Sequence, residues 1–434
     1  MNRIVERVCS STIFDMDAVE TALRRAVLLA GAGVLAELVS DIGRGRRDHA
    51  VICGCGTRME SRGLKKKTLL TILGEVPFSR SMFVCPACGE VRYPGDEQLD
   101  VVSTTRSPGV RRMEARAGSR QTFKEGRDDL RVYAGIEVSA KDVERVAEKT
   151  GAEIEAWLSR EREELLVQPI PLRPDKTIPI LYVSYDGTGV PMVKQAVAGR
   201  KGKHKDGTAK TREVKLGCIF TQTATNEKGF AVRDLHSTSF VGAIETAERF
   251  GWRIYAEALR RGLHHAETVV VLGDGAQWIK NLADLHFYGA ILIVDLYHAR
   301  QHVAKLCKLL FDPTEKEVTR HRFKWWSDLD DGKVETIVSE ARQQLPKDPM
   351  AKKEAEKEIA YLEKNKERMR YNDFRAKGLF VGSGVIEAGC KTVIGKRLKQ
   401  SGMEWSVDGA NAIIALRCAA LSARIEDFWE SRCA

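Results

Sequence analysis

The chain has 434 residues, 43% of them hydrophobic and 30% charged, a composition typical of a soluble globular protein with two to four domains. Its 70 Lys and Arg against 60 Asp and Glu leave a formal charge of +10, which favours a polyanionic partner such as nucleic acid, although an ordinary basic protein carries similar charge. Ten cysteines are too sparse for a disulfide scaffold. No signal peptide is recognisable, and no apolar run approaches the roughly 20 residues that span a bilayer, so we expect a cytoplasmic protein without membrane contact.

The first 168 residues divide into three segments by their residue patterns. Residues 1–50 have apolar positions at helical spacing, whereas residues 51–100 contain short apolar runs, turn residues and four cysteines. Residues 104–168 are helical again, with a break at Gly135 and Ser139 as the cap of a second helix. This pair fits a helix-turn-helix, and a plain helical linker fits nearly as well. A domain boundary is then predicted by Pro169, Pro171, Pro174 and Pro179.

Beyond these prolines the pattern predicts the order β-β-β-α-β-α-β-α. The predicted strands are 180–186, Val214–Thr223, Phe230–Ser239, 268–274 and 290–295, and the predicted helices are Val241–Gly262, Ala276–Phe287 and Leu296–Leu310. A three-stranded meander followed by α/β crossovers is the element order of the RNase H-like fold. We therefore expect a multidomain α/β protein with such a core at 175–310, a helical insertion at 311–378 and closing helices at 379–434.

Three carboxylates are the candidate catalytic residues. Asp186 and Asp274 each end an apolar strand and precede a glycine, and chemistry in α/β sheets gathers beyond the carboxyl ends of strands. Aspartates also form turns and helix caps at such places, so neither is decisive alone. Glu387 falls at the edge of the apolar side of a helix, where its partner is either Lys391 or a metal ion shared with the two aspartates. Three carboxylates suit Mg²⁺ or Mn²⁺ and metal-assisted phosphodiester cleavage.

Four stretches carry a family resemblance: DGTGVP (186–191), GDGAQWIKNL (273–282), IVDLYHARQHV (293–303) and GSGVIEAGCKTVIGKRLKQSGMEWS (382–406). They resemble bacterial insertion-sequence transposases of the ISKra type, which are similar to Mutator-like transposases. The resemblance implies a DDE transposase that cuts and joins DNA, with Asp186, Asp274 and Glu387 as its metal-binding trio and a helical insertion before the glutamate. It also implies an Asp-x-x-His signature at Asp295 and His298, where His298 either contacts phosphate or caps a helix.

The four cysteines predict a zinc-ribbon-like domain. Cys53 and Cys55 form one ligand pair and Cys85 and Cys88 a second, and four thiolates complete a closed tetrahedral Zn²⁺ site. The other six cysteines show no ligand spacing and are expected to be core or incidental residues.

Basic residues near these elements are candidate DNA contacts, with solvated surface as the alternative. They lie beside the cysteines, in the loop after Asp186 and after Glu387: Arg58, Lys65, Lys66, Lys67, Arg200, Lys201, Lys203, Lys391, Arg397 and Lys399. Trp325, Trp326 and Trp405 either stack on an unpaired base or belong to the core.

We therefore expect a bacterial, nucleoid-associated enzyme that binds transposon ends and target DNA, with a homodimer favoured. Two other functions stay open. One is an RNase H-type nuclease or resolvase without mobility, and the other is a non-catalytic DNA-binding protein derived from a transposase.

Overall fold

The computed structural model of the protein describes residues 15–44, 50–168, 177–202, 207–311 and 315–432. The chain forms two compact units, one comprising Met1–Thr150 with Arg432–Ala434 and the other Gly151–Ser431. The division falls inside a long helix, and not at the predicted proline-rich boundary, because residues after Thr150 pack within the second unit. Gly151, for example, lies so close to the backbone of Ala412 that a Cβ atom would be 2.0 Å from its carbonyl oxygen.

The first unit begins with a helix and an antiparallel sheet in the order β1-β2-β3. These elements are α1 (Met16–Arg44), β1 (Glu60–Thr71), β2 (Gly74–Val84) and β3 (Val91–Arg92). Val39 of α1 packs with Leu69 of β1 and Phe78 of β2 in a small core. This core joins the helix to the sheet that carries the cysteines.

Helix α1 corrects one expectation from the sequence. It is 29 residues long, and an 18-residue window within it has a mean hydropathy of 1.7, so by length and composition it is able to span a membrane. The expectation that no apolar run approaches this length was wrong for this segment. A single such helix near the N-terminus does not establish membrane insertion, since core helices and signal sequences share this composition.

The helical part of the first unit follows the sheet. Its helices are α2 (Pro94–Gln98), α3 (Pro108–Arg120), α4 (Phe123–Asp129) with a π-helical extension (Leu130–Ala134), and α5 (Ala140–Val167). Gly135 ends the first group with φ +68°, the left-handed conformation that glycine adopts readily. The Ser139 hydroxyl accepts the Asp142 N–H at 3.1 Å, so the predicted helix break and cap are both confirmed.

The second unit contains a five-stranded mixed sheet in the order β10-β9-β4-β5-β8. Its strands are β4 (Ile178–Pro191), β5 (Thr211–Gln222), β8 (Ser239–Ala243), β9 (Ala266–Gly273) and β10 (Ile291–Val294), and a separate ladder joins β6 (Ala224–Thr225) to β7 (Ala231–Val232). Strands β4, β5 and β8 are antiparallel neighbours, whereas β9 and β10 lie parallel to β4 on its other side.

The predicted third strand, Phe230–Ser239, was wrong, because the chain turns where we expected it to be extended. The Asp234 carboxylate accepts hydrogen bonds from the hydroxyls of Thr221 and Thr223, at 2.6 and 2.7 Å, and so holds a bend against the end of β5. The third strand, β8, therefore starts at Ser239 and occupies the beginning of the segment predicted as helix.

Helices cover both faces of the sheet and form the segment between β10 and the chain end. They are α6 (Lys194–Val197), α7 (Ala247–Arg260), α8 (Gln277–His286), α9 (Leu296–Leu310), α10 (Glu315–Asp330), α11 (Val334–Gln343), α12 (Pro349–Asn365), α13 (Tyr371–Ala376), α14 (Gly384–Gly389), a π-helical turn (Cys390–Gly395), α15 (Lys396–Leu398), α16 (Val407–Leu421) and α17 (Ile425–Glu430); 3-10 turns lie at Leu263–His265 and Lys366–Arg368. One face of β4, with Leu181, Val183 and Tyr185, packs against α7 and α8. The opposite face carries Asp186.

Candidate active site and metal-binding residues

Three aspartates lie at the same level on three adjacent parallel strands. Ser184 of β4 is paired with Leu272 of β9, so Asp186 lies level with Asp274, which directly follows β9. Val294 of β10 is paired with Gly273, so Asp295 is level with Asp274 on its other side. Asp186 is not at the end of β4, as predicted, because β4 continues to Pro191 along β5. It lies where the pairing of β4 with β9 ends.

Asp186 is partly buried, and its surroundings raise its pKa. Burial raises its pKa, the Gly187 N–H at 2.7 Å opposes that rise, and the negative charge of Asp274 adds to it. The Cys390 thiol lies 3.7 Å from the Asp186 carboxylate, and the electrostatic influence of His298 lowers the pKa of Asp186. Asp274 and His298 are thus both close enough to Asp186 to shift its pKa.

Cys390 is the first residue that sequence reasoning missed, since the cysteine spacing gave it no role. Burial, and then the charge of Asp186, raise the pKa of its thiol to about 12. The thiol is therefore protonated at neutral pH and donates to Asp186. It lies on the π-helical turn that follows α14, and buried Arg417 bonds to the carbonyls of Thr392 and Val393 on that turn. Single π-turns inside helices occur frequently at functional sites.

Asp274 is held by a tight turn and by a tyrosine from the helical segment. Its carboxylate accepts the Ala276 N–H at 2.9 Å, and its backbone carbonyl accepts the Tyr361 hydroxyl at 2.7 Å. Gly275 has φ +83°, and a Cβ atom there would lie 2.7 Å from the Tyr361 hydroxyl oxygen. Tyr361, on α12, is the second residue that the sequence did not reveal, because 87 positions separate it from Asp274.

A buried carboxylate fixes the orientation of Tyr361. The His302 ring stacks on Tyr361 with their centroids 3.7 Å apart, and His302 Nδ1 lies 2.5 Å from the carboxylate of Glu358, which is 5% exposed. The Lys305 ammonium donates to the other Glu358 oxygen at 2.5 Å. Helices α9 and α12 are joined through this network, and α12 supports the loop that carries Asp274.

Asp295 has a structural position. It is 1% exposed, and its two carboxylate oxygens accept the backbone N–H groups of His298, at 2.6 Å, and Ser383, at 2.5 Å. It therefore caps α9 and also holds the residue that precedes α14. The cap of α9 is therefore the Asp295 carboxylate. The His298 ring packs edge to face against the His302 ring, with their centroids 5.1 Å apart.

Glu387 lies on the same helical segment as Cys390. It is exposed on α14, one turn before Cys390, and its charge contributes to the raised pKa of that thiol. In the described residues, the group of metal-binding side chains whose ligand atoms all lie within 4.8 Å of one another consists of four cysteines, and the carboxylate trio does not meet that criterion. Lys391, the other partner considered for Glu387, forms no ion pair with it in the residues that the structure describes.

The four cysteines lie together on two turns of the first unit. The Cys53 and Cys88 sulfurs are 3.4 Å apart, and those of Cys55 and Cys85 are 3.6 Å apart. Sulfurs on a zinc tetrahedron lie roughly 3.8 Å apart, since Zn–S bonds are about 2.3 Å. The Thr57 hydroxyl, and then its backbone N–H, lower the pKa of Cys55 to about 6. This donor set fits Zn²⁺, and the cluster is able to bind it.

The basic residues differ in their availability to DNA. Most of the predicted contacts are exposed, namely Arg58, Lys65, Lys66, Arg200, Lys201, Lys391 and Lys399, and Lys203 lies outside the described residues. Lys67 is less available, because its buried ammonium donates to Asp96 at 2.8 Å and to the Val101 carbonyl at 2.7 Å. Arg397 is also less available, because its side chain is fully buried and its guanidinium lies 4.9 Å from the Trp405 ring centroid.

Comparison with known proteins gives a family and distant relatives. The uncharacterised protein family UPF0236 matches residues 12–427. The chain is 25% identical over 365 residues to a UPF0236 protein of Caldanaerobacter subterraneus subsp. tengcongensis, whose name joins eleven locus labels, covering 81% of this chain and 67% of that one. It is 24% identical over 379 residues to a UPF0236 protein in the vanSb 3'region of Streptococcus gallolyticus, covering 85% of this chain and 75% of that one.

The Drosophila P element transposase strand transfer complex is a similar solved structure, with a TM-score of 0.25 and 10% identity over 78% of this chain and 85% of that one. That score is too low to establish a common fold. The family match, in contrast, spans nearly the whole chain. The protein therefore belongs to the UPF0236 family.

Proposed function

We propose that this protein is a DNA transposase whose RNase H-like core cuts and joins DNA at Asp186, Asp274 and Glu387. The observation that carries the proposal is the register of the mixed sheet, which sets Asp186 level with Asp274 at the edge where the parallel strands end. The strand order supports the RNase H-like assignment, since a three-stranded meander extends from one side of β4 and two parallel strands lie on the other. The resemblance of residues 382–406 to ISKra-type transposases supports it independently.

The electrostatics of the aspartate pair favour a divalent cation. Asp186 has a raised pKa because it is buried and faces Asp274, and a bound cation relieves both penalties. Mg²⁺ and Mn²⁺ prefer carboxylate oxygens, and such an ion supplies an activated water and a stabilised leaving oxygen for phosphodiester cleavage. In the described residues the three carboxylates do not form a group whose ligand atoms all lie within 4.8 Å of one another. We expect α14 to approach the aspartates when DNA binds.

Neighbouring residues act on the aspartates and on the DNA. The Cys390 thiol and the Gly187 N–H both donate to Asp186, which orients its carboxylate. His298 lies close enough to shift the pKa of Asp186, and its imidazole is a candidate hydrogen-bonding partner for a phosphate oxygen there. The Lys399 ammonium donates to the Thr188 hydroxyl at 2.5 Å, two residues along β4 from Asp186, and is placed to contact a DNA backbone there.

The first unit is the proposed DNA-end recognition module. We assign Zn²⁺ to Cys53, Cys55, Cys85 and Cys88, where it stabilises the turn before Arg58 and the sheet whose strand β1 carries Lys65 and Lys66. The relative with eleven locus labels supports mobility, because a gene repeated in one genome is what transposition leaves behind.

Strand transfer tests the proposal directly. The purified protein is incubated with Mg²⁺, a supercoiled plasmid and labelled DNA ends that flank its own gene. We expect labelled ends joined covalently to the plasmid, and loss of joining in Asp186→Asn, Asp274→Asn and Glu387→Gln, each of which removes a charge at nearly constant shape. Nicking without joined product would identify a nuclease. Binding of the ends without any cleavage would identify a non-catalytic DNA-binding protein.

A further inference from the structure

A strip of alternating aromatic and arginine side chains lies on the surface of α9 and α10. Tyr297 and Phe323, at its two ends, are 60% and 58% exposed. The Arg300 guanidinium carbon lies 5.9 Å from the Tyr297 ring centroid and 5.6 Å from that of Trp326. The Arg322 guanidinium carbon lies 5.1 Å from the Trp326 centroid and 5.4 Å from that of Phe323. The five residues together form the aromatic–arginine strip.

The strip is ordered by contacts of its own. The Trp326 indole N–H donates to the Arg300 carbonyl at 3.1 Å, and the Arg300 guanidinium pairs with Asp330. The Phe323 and Trp326 rings pack edge to face with their centroids 5.7 Å apart. Arg322 forms no ion pair with any residue that the structure describes. The exposed rings are therefore held in place before a ligand arrives, which lowers the entropy cost of binding.

The strip begins beside the proposed catalytic site. Tyr297 is two residues after Asp295, and a Cβ atom at Gly382 would lie 3.3 Å from its ring. Gly382 precedes Ser383, which Asp295 holds at the start of α14. The Tyr297 ring therefore lies next to the segment that Asp295 holds, and Asp295 is level with Asp274 in the sheet. We expect a DNA strand that passes Asp186 and Asp274 to run close to this ring.

We propose that the aromatic–arginine strip binds unpaired nucleobases of single-stranded DNA next to the cleavage site. Exposed aromatic faces stack on bases of any sequence, and arginines between them add cation–π contacts and neutralise phosphate. An apolar protein partner is a poor fit, because it would bury the Arg322 guanidinium without neutralising it. The position of this binding site rests on the proposed function. Of the three tryptophans that the sequence offered as stacking residues, Trp325 is fully buried and Trp405 is 5% exposed. Trp326 is the one that belongs to the strip.

Fluorescence anisotropy of a labelled 20-nucleotide oligothymidylate, measured without added Mg²⁺ or Mn²⁺, tests the proposal without any cleavage. Tyr297→Leu and Phe323→Leu should each weaken binding about tenfold, the loss expected for one stacked base. Tyr297→Phe keeps the ring and should bind like the wild type. Tyr288→Leu is the matched control, because Tyr288 is 98% exposed but precedes β10, whereas Tyr297 follows the other end of that strand.

The affinity for blunt duplex DNA should be unchanged in all four variants. Wild-type protein that does not bind the oligothymidylate would overturn the proposal, and so would strip variants that lose no more affinity than Tyr288→Leu. Equal losses on duplex and single strand would also overturn it, since they would indicate a general electrostatic effect. A protein that never cuts DNA but loses oligothymidylate binding in the strip variants would refute the proposed function and leave the strip as a binding site.

Discussion

Asp295 should be a positioning residue whose loss destabilises the second unit. In Asp295→Ala the first turn of α9 loses its cap, which costs about 0.5–2 kcal/mol. The buried N–H of Ser383 also loses its acceptor, and an unpaired buried group costs about 1–3 kcal/mol. The two hydrogen bonds are made by different oxygens of the carboxylate, so their contributions add. We expect the free energy of unfolding to fall by about 2–4 kcal/mol in total. In a unit of this size the melting temperature should fall by about 5–12 °C.

Thermal unfolding and Mn²⁺ binding, measured on the same protein, separate positioning from ligation. Asp295→Ala should melt early and still bind Mn²⁺ through Asp186 and Asp274, although its cleavage should fall because α14 is no longer held. Asp284→Ala is the control, since this aspartate is exposed and pairs with the exposed Lys280 one turn away on α8, so its removal should change stability little. An Asp295→Ala protein with a normal melting temperature and no Mn²⁺ binding would refute the assignment and make Asp295 a metal ligand.

Three further predictions use the contacts of individual side chains. Asp186→Asn should raise the melting temperature at pH 7 without added Mg²⁺ or Mn²⁺, because a carboxyl with a raised folded pKa is destabilising when ionised. The gain should vanish below the ordinary pKa of aspartate, and a gain that persists at low pH would exclude this cause. Tyr361→Phe should weaken Mn²⁺ binding roughly threefold to tenfold by releasing the Asp274 carbonyl, as titration would show, whereas equal affinity would leave α12 without a role at the site. Lys67→Ala should destabilise the first unit by up to about 3 kcal/mol in chemical unfolding without changing the salt dependence of DNA binding. Lys66→Ala should leave the stability unchanged and make DNA binding less dependent on salt.

Local patterns in the sequence predicted most elements of the second unit. The helix Leu296–Leu310 was predicted to the residue, because Asp295 caps its first turn. Strands β9 and β10 were predicted within two residues, because each is an apolar run that ends at a Gly or before an Asp. The third strand was missed because its boundary is set by the Asp234 carboxylate, a contact that no periodicity reveals. In the first unit, the left-handed Gly135 and the Ser139 cap were predictable because both signals are local.

The candidate site was predictable only in part, for a related reason. Asp186, Asp274 and the cysteines belong to short motifs whose spacing reflects their chemistry. Tyr361 and Cys390 approach the aspartates from distant positions, and only the packing of α12 and the π-helical turn brings them there. The burial of Lys67 was equally hidden, since a lysine in a basic run has the same sequence signature whether it faces solvent or a buried aspartate such as Asp96.

The location of Mn²⁺ in a DNA complex tests the central claim most directly. Anomalous scattering from crystals of the protein bound to its own transposon end would identify the metal position without reference to activity. We predict Mn²⁺ within about 2.2 Å of carboxylate oxygens of both Asp186 and Asp274, with Glu387 brought to the same ion by movement of α14. Mn²⁺ bound elsewhere, or coordinated by Asp295 while Glu387 stays exposed to solvent, would contradict the account.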